Sequence, residues 1–180
     1  MCKMSKLKEL TWENHQNAER TAFARRLMGG ITPEEYHTYL YNQFLIYGSL
    51  ESLTNLEGIE DIRRTKRIGI DLKELEKTQG LKRTKEQLQP SALEYINYLP
   101  TLDNDELMAH IYVRHFGDMY GGQMIKKRLD FTSGTMYDFD NVEDLKMKVR
   151  SMVGEDMADE ANICFKYAAK LFEELNNVYA

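Results

Sequence analysis

Three glycines lie inside one predicted helix, and they restrict how the chain can fold around it. The helical pattern covers residues 107–129, and Gly117, Gly121 and Gly122 all fall within six positions of one another. Each interior glycine destabilises a helix by roughly 1 kcal/mol relative to alanine, so three together indicate a local advantage. Because Gly117 and Gly121 are four residues apart, they share a face, with Gly122 beside them. We expect either a flat ligand or a crossing helix to approach this bare backbone.

The composition is that of an ordinary globular protein, and it excludes several classes. A chain of 180 residues can bury a core, so we expect one domain over residues 1–180. The net charge of −5 argues against general nucleic-acid binding. No apolar run approaches the roughly 20 residues of a membrane span, so we expect no membrane anchor. Cys2 and Cys164 form neither a metal-ligand spacing nor a CxxC pair, which favours a cytoplasmic location.

The chain is expected to be all-α, because it has only three prolines and no alternation typical of strands. A capping sequence at Thr32 and Pro33 predicts the start of the second helix, which extends through residue 50. Segments 84–90 and 131–140 are predicted to be loops. The other predicted helices cover residues 5–28, 59–68, 72–77, 91–99, 107–129, 142–153 and 156–178.

A histidine in the first predicted helix is the best candidate for a metal or cofactor ligand. His15 shares a face with Ala18 and Ala22, and such small residues leave room for a bulky group. Lys8 lies seven residues earlier, ~10 Å along the helix axis, and points the same way. Glu19 is four residues later and can orient the His15 ring by a hydrogen bond. A lone histidine on a helix is more often a surface or core residue, and this alternative stays open.

The other three histidines are weaker candidates for a ligand. His37 lies near the start of the second helix among polar neighbours, and we expect it in solvent. His110 and His115 lie on the glycine-bearing helix. His115 comes three residues before Asp118, which makes it the second-ranked ligand. The sequence contains no HxxxH or HExxH motif, and the glycines do not follow a strand as a phosphate-binding loop would.

Some polar and aromatic side chains fit either a structural or a binding role. Lys146 and Arg150 form a basic i, i+4 pair that is either a solvated face or a grip for a dianionic ligand. An aromatic stripe on the second helix is expected to be core packing. Within that helix Tyr47, like Tyr112 further along the chain, could bury its ring and still offer a hydroxyl.

Four segments of the sequence resemble the haem oxygenase family. LKELTWENHQNAE at 7–19 is similar to its proximal helix, and HFGDMYGGQ at 115–123 is similar to its distal helix. IYGSLE at 46–51 and LFEEL at 171–175 resemble its second and last helices. The resemblance covers nearly the whole chain, and the distal motif is specific. It implies a helical single domain with haem between the proximal and distal helices.

The resemblance assigns roles to both helices. Haem b would be substrate and cofactor at once, with His15 as the iron ligand and Glu19 orienting its ring. Gly117, Gly121 and Gly122 would press their backbone over the porphyrin, shielding most of its meso edges and letting the helix flex.

The same resemblance supplies the expected proton donor and the haem anchor. Asp118 would hold a water network that delivers a proton during oxygen activation, and Tyr47 and Tyr112 would belong to that network. Positions associated with the haem propionates are matched by Lys8, Tyr112, Lys146 and Arg150.

The implied reaction consumes O2 and reductant and opens the porphyrin ring. Its products would be biliverdin, with the α isomer expected, carbon monoxide and ferrous iron. The absence of an anchor sequence favours comparison with soluble relatives, so ferredoxin is the expected electron donor and a bilin reductase a possible next enzyme.

Four positions depart from the family pattern, and they bear on affinity and regiochemistry more than on the reaction. Trp12 stands where some relatives carry a lysine that faces a propionate, and Tyr120 stands where a serine is common. His115 replaces an aromatic residue, and Ala168 replaces an asparagine.

Three other functions remain open at the level of sequence. A haem carrier or sensor would keep the pocket without chemistry, although such a protein has no need of Asp118. A thiamin-degrading helical enzyme would require a nucleophilic cysteine in the central pocket, whereas Cys164 is expected late in the last helix. A helical interaction module would bind no haem at all.

Overall fold

The computed structural model describes residues 5–179, which fold entirely into helices and connecting turns without a β-strand. The predicted all-α class is therefore confirmed. The helices are α1 (Lys6–Glu19), α2 (Ala22–Gly29), α3 (Pro33–Leu53), α4 (Thr65–Gln79), α5 (Pro90–Tyr98), α6 (Asn104–Tyr120), α7 (Gly122–Arg128), α8 (Val142–Met152) and α9 (Ala158–Val178).

The N-terminal segment forms two helices, so the prediction of one helix over residues 5–28 is wrong. Helix α1 ends at Glu19, and α2 begins at Ala22. Thr21 caps the second helix, because its hydroxyl accepts a hydrogen bond from the Ala24 backbone N–H at 3.3 Å. A threonine at this position stabilises a helix start, so the chain can turn here and begin again.

The glycine-bearing segment is also divided, although it was predicted as one helix over residues 107–129. Helix α6 starts after Asp103, whose carboxylate accepts from the Glu106 backbone N–H at 2.9 Å, and α7 begins at Gly122. Gly121 joins the two and still donates its N–H to the Gly117 carbonyl at 2.8 Å. Paired small residues are a common cause of helix bending.

The remaining boundaries differ from the prediction mainly between the second and fifth helices. The predicted helices at 59–68 and 72–77 are replaced by a 3₁₀ turn, Glu60–Ile62, followed by the single helix α4. The predicted loops each contain a 3₁₀ turn, Lys85–Gln87 and Thr135–Tyr137. Thr32 caps α3 as expected, since its hydroxyl accepts from the Glu35 N–H at 3.2 Å.

Helix α9 organises the packing, because it contacts α1, α2, α5 and α6. Helix α3 is the second centre of packing, and it contacts α4, α5 and α6. The aromatic stripe of α3 was predicted as core packing, and Tyr36, Tyr39 and Tyr47 are buried while Phe44 is half-buried. Tyr39 and Tyr47 also line the cavity described below, so the stripe is not purely core. Within residues 5–179, no helix combines the length and the low polarity that crossing a membrane would require.

Two glycines of the distal segment should respond oppositely to alanine. A Cβ on Gly122 would lie 2.3 Å from Cδ1 of buried Tyr137, whereas a Cβ on Gly117 would meet nothing within 4 Å. We expect Gly122→Ala to lower the free energy of unfolding by about 1–3 kcal/mol through overpacking. Gly117→Ala should leave it unchanged or raise it, since alanine favours a helix. Urea unfolding of both variants measures this, and equal stability of the two would contradict the packing described.

Candidate functional site

A cavity of about 580 Å³ lies among six of the helices, and its lining includes most of the site residues predicted from the sequence. Its volume lies within the ~300–1,000 Å³ typical of small-molecule sites. Helix α1 contributes His15 and Glu19, and α6 contributes Gly117 and Asp118. The apolar part of the lining includes Leu27, Val113, Ile125, Phe165 and Phe172.

His15 is held in this cavity by contacts on three sides. Its ring stacks on Phe165 of α9 with centroids 5.0 Å apart, and Trp12 meets its edge at 5.6 Å. The Glu19 carboxylate lies 2.7 Å from Nε2, a distance from which it can orient the ring. Nδ1 has no hydrogen-bond partner among residues 5–179. The ring thus has one nitrogen oriented by a carboxylate and one available to a ligand.

The bare helix face consists of Gly117 and Gly121, which both line the cavity. Gly117 has open space where a side chain would be, and a Cβ on Gly121 would lie 3.3 Å from the Gly117 carbonyl. Gly122 corrects our expectation that all three glycines serve the same surface. It is buried away from the cavity, and its missing Cβ makes room for Tyr137.

Asp118 and Tyr47 form a buried hydrogen-bonded pair in the cavity wall. The Tyr47 hydroxyl donates to Oδ2 of Asp118 at 2.5 Å. Burial raises the pKa of Asp118 to about 6, although the Tyr47 hydrogen bond and the charges of His115, Arg64 and Arg114 oppose the rise. A carboxyl group with such a pKa can hold a proton and release it near neutral pH.

Three polar cavity residues were missed by the sequence analysis. The Arg114 guanidinium donates from Nη1 to Gln43 at 3.1 Å, and the Gln43 amide donates to the Tyr39 hydroxyl at 2.9 Å. Nη2 of Arg114 is buried and has no hydrogen-bond partner within residues 5–179. Spacing could have pointed to these residues, because Arg114 is four residues before Asp118 and Gln43 is four before Tyr47.

The four predicted propionate residues lie outside the lining of the cavity. Lys146 and Arg150 both gather at Tyr120, the residue before Gly121, so they sit beside the cavity. The Lys146 ammonium lies 4.0 Å from the Tyr120 ring centroid, and the Arg150 guanidinium donates to its hydroxyl.

Lys8 and Tyr112 likewise rest on neighbouring aromatic rings. The Lys8 ammonium lies 5.9 Å from the Trp12 centroid, and Tyr112 packs against Phe116 with centroids 4.9 Å apart. The arginines that do line the cavity, besides Arg114, are the exposed Arg25 and Arg128.

Two expectations about the other histidines are wrong. His37 is buried rather than solvated, since Nε2 contacts Glu76 and Nδ1 contacts the Gln87 amide, both at 3.0 Å. His115 does not face the cavity, because its ring is buried against Glu51 at 2.8 Å. Among the histidines of the described chain, His15 is the one that lines the cavity.

Cys164 lies early in α9, not late, and it is fully buried outside the cavity lining. Its thiol receives a hydrogen bond from the Tyr95 hydroxyl at 3.4 Å. Burial raises the pKa of this thiol, but the nearby charges of His110 and Arg114 bring it below its ordinary value. Because a buried thiol cannot attack a molecule in the cavity, this placement disfavours the thiamin-degrading alternative.

Comparison with known proteins decides the family. A sequence model of the family described as heme oxygenase matches residues 3–174. The chain belongs to the haem oxygenase family. It is 28% identical to the heme oxygenase of the red alga Porphyra purpurea, over 96% of this chain and 86% of that protein. It is 30% identical to heme oxygenase 2 of Macaca fascicularis, over 94% of this chain and 64% of that protein.

Solved haem oxygenase structures share the fold. The heme oxygenase of Leptospira interrogans superposes with a TM-score of 0.81 at 24% identity, covering 95% of this chain and all of that one. Heme oxygenase-1 of the cyanobacterium Synechocystis, solved in complex with heme, gives a TM-score of 0.80 at 21% identity. That match covers 96% of this chain and 91% of that one.

The raised pKa of Asp118 predicts a pH dependence of stability. Between pH 3.8 and about 6 the folded chain keeps a proton on Asp118 that the unfolded chain has released. Stability should therefore fall as pH rises through this range, by about 3 kcal/mol from this group. In Asp118→Asn, the free energy of unfolding should no longer show this fall when it is measured by urea unfolding from pH 4 to pH 7.

Asp140→Asn is the matched control, since the Asp140 side chain is 72% exposed. This variant should show the same dependence of the free energy of unfolding on pH as the unaltered chain. An Asp118→Asn variant that retains the full slope would contradict the buried protonated carboxyl.

Proposed function

We propose that this chain binds haem b in the cavity and, with O2 and electrons from a reductant, cleaves it to biliverdin, carbon monoxide and ferrous iron. One observation carries the proposal: a carboxylate-oriented imidazole, a side-chain-free helix face and a buried carboxyl group line the same cavity. His15, Gly117 and Asp118 represent these three elements. A small-residue helix crossing would not need the carboxyl group or the open space next to Gly117.

The residues present fit haem as a ligand. His15 would hold the iron, and Glu19 would accept the proton of the other ring nitrogen. Phe165 and Phe172 offer apolar rings to the macrocycle, and the unpartnered Nη2 of Arg114 provides a buried polar contact. When bound, haem supplies the iron that activates oxygen and the ring that is oxidised.

The protein contributes binding, orientation and proton control. Gly117 and Gly121 allow the backbone of α6 to approach a flat ligand closely, which no side chain would permit. The raised pKa of Asp118 lets its carboxyl group take up and release a proton near pH 6, and the Tyr47 hydroxyl fixes the orientation of that group. Arg114, Gln43 and Tyr39 form a second polar chain in the wall, which orders water inside the cavity.

We propose that the haem propionates are bound by Lys8, Tyr112, Lys146 and Arg150. Because such anchoring fixes the rotation of the ring, it would direct cleavage to the α-meso carbon. Lys146 and Arg150 support this role because they stand together beside Tyr120, at the edge of the bare helix face. Each carries a long side chain that can exchange its contact with Tyr120 for a carboxylate.

Electrons are proposed to come from a ferredoxin, and a bilin reductase is the proposed consumer of the product. The support is a basic surface at the end of α7, formed by the exposed Lys127 and Arg128 and preceded by Lys126, which is paired with Asp138. Such a surface attracts an acidic donor protein, and it would bring that protein close to the cavity because Arg128 also lines the cavity.

The ligand role of His15 can be tested with a cavity variant. His15→Gly should remove the imidazole that would hold the iron, change the visible spectrum of the haem complex and reduce biliverdin formation at least tenfold. Added imidazole should restore the spectrum by filling the vacated space. An unchanged haem spectrum in His15→Gly would refute the assignment. A full haem complex of the unaltered chain that forms no biliverdin would instead favour the carrier or sensor.

The anchoring role of the α8 pair has its own test. Replacing Lys146 and Arg150 together with alanine should weaken haem binding or mix the biliverdin isomers, because the ring loses a fixed rotation. Lys148→Ala is the control, since the exposed Lys148 pairs with Asp144 on the same helix. Chromatography that shows one unchanged isomer, at full haem affinity, would remove the pair from the anchor.

A further inference from the structure

The ring of His115 is fully buried between two hydrogen-bond acceptors. Nδ1 lies 3.1 Å from the Ile111 carbonyl oxygen, and Nε2 lies 2.8 Å from Oε2 of Glu51. A carbonyl oxygen has no proton to donate, so Nδ1 must carry one to make its bond. The same holds for Nε2 if Glu51 is ionised.

The surroundings of Glu51 require the ionised form. Besides His115, its carboxylate accepts from the Arg64 backbone N–H at 2.7 Å and from the Thr65 backbone N–H at 3.1 Å. The Thr65 hydroxyl donates to it as well, at 2.6 Å. Burial raises the pKa of Glu51, whereas the hydrogen bond and charge of His115, followed by the hydrogen bonds from Thr65 and Arg64, lower it, and the net direction is down. The three donors other than His115 already favour an ionised carboxylate, so Nε2 of His115 is the donor in its contact with Oε2. Both nitrogens of His115 therefore donate, and the ring is an imidazolium.

The other buried histidines do not share this arrangement. Nδ1 of His37 faces the Gln87 amide nitrogen, a donor, so that ring needs only the Nε2 proton. Nδ1 of His110 faces the Tyr95 hydroxyl, a group that can accept as well as donate, and Nε2 lies 2.9 Å from Glu160. Burial opposes the charged form of His110, but Cys164 and Glu160 raise its pKa above the ordinary value. Among the buried histidines of the described chain, His115 is the one with a backbone carbonyl oxygen, which can only accept, next to one of its nitrogens.

The charged ring lies directly behind the proton-holding pair of the cavity. The centroids of His115 and Tyr47 are 4.9 Å apart, and Tyr47 donates to Asp118. His115 and Asp118 are also three residues apart on α6, so they lie on adjoining faces. The charged and titratable groups that surround Asp118 are Tyr36, Tyr39 and Tyr47 of α3, Arg114 and His115 of α6, Arg64 before α4, and Tyr137.

We propose that His115 is a positioning residue: an imidazolium, fixed by Glu51 and the Ile111 carbonyl, whose charge keeps the Asp118 proton easy to release. Its charge favours the ionised carboxylate and offsets part of the effect of burial. The catalytic consequence rests on the proposed haem reaction, whereas the charge itself does not.

The charge state can be read directly from the full chain labelled with ¹⁵N-histidine, without haem. At pH 7 the His115 ring should show two protonated nitrogens, whereas His37 should show one protonated and one bare nitrogen. His37 is the internal control, because it is buried and pairs with a carboxylate as His115 does. A bare nitrogen on His115 at pH 7 would overturn the proposal.

The effect on Asp118 is measured by a carboxyl ¹³C titration of the same haem-free chain. His115→Phe should move the titration midpoint of Asp118 upward by about one pH unit, since a nearby positive charge is lost. His115→Gln should do the same while keeping a donor to Glu51, which separates loss of charge from loss of structure. His37→Gln should leave the midpoint unchanged.

A midpoint of Asp118 that stays in place in a folded His115 variant would overturn the proposal. If neither variant folds, the ¹⁵N spectrum of the unaltered chain still decides the charge. Because no haem is present, failure of the proposed reaction and failure of this inference give separate results.

Discussion

The hydrogen bond from Tyr47 to Asp118 is the interaction on which the site depends. It joins α3 to α6 inside the cavity and places a buried carboxyl group at the edge of the bare glycine face. Removing such a group from water favours its neutral form, and the surrounding cations limit that effect. Together, burial and the nearby cations set the pKa of Asp118 to about 6, so its carboxyl group can release a proton near neutral pH.

The distal segment shows how neighbouring glycines can serve different purposes. Gly117 and Gly121 leave space on the cavity side, whereas Gly122 accommodates Tyr137 on the core side. The segment can therefore bend at Gly121 while α7 stays packed against the 3₁₀ turn Thr135–Tyr137. One sequence motif thus combines access for a flat ligand with a fixed position for the helix that follows.

Local sequence signals were sufficient for part of this structure. Helical spacing placed His15 and Glu19 together, because residues four apart on a helix are neighbours whatever the rest of the chain does. The glycine spacing located the bare face for the same reason. Division of the first helix was missed, although Thr21 is a good capping residue, since the apolar pattern continues across it.

The remaining errors come from contacts between distant parts of the chain. His37 seemed solvated because its partners, Glu76 and Gln87, lie on other elements. His115 seemed a ligand because Glu51 of α3, which turns its ring away from the cavity, is 64 residues earlier. No local pattern contains such information, so the sequence could place these histidines on a helix without revealing which way they face.

The central claim is that the cavity holds haem and that the protein opens its ring. It is tested most directly by adding hemin, a reductant and air to the purified chain and identifying the pigment by chromatography and absorbance. The account predicts biliverdin, together with loss of the haem spectrum and release of carbon monoxide. Recovery of intact haem, or no binding of hemin at all, would contradict it.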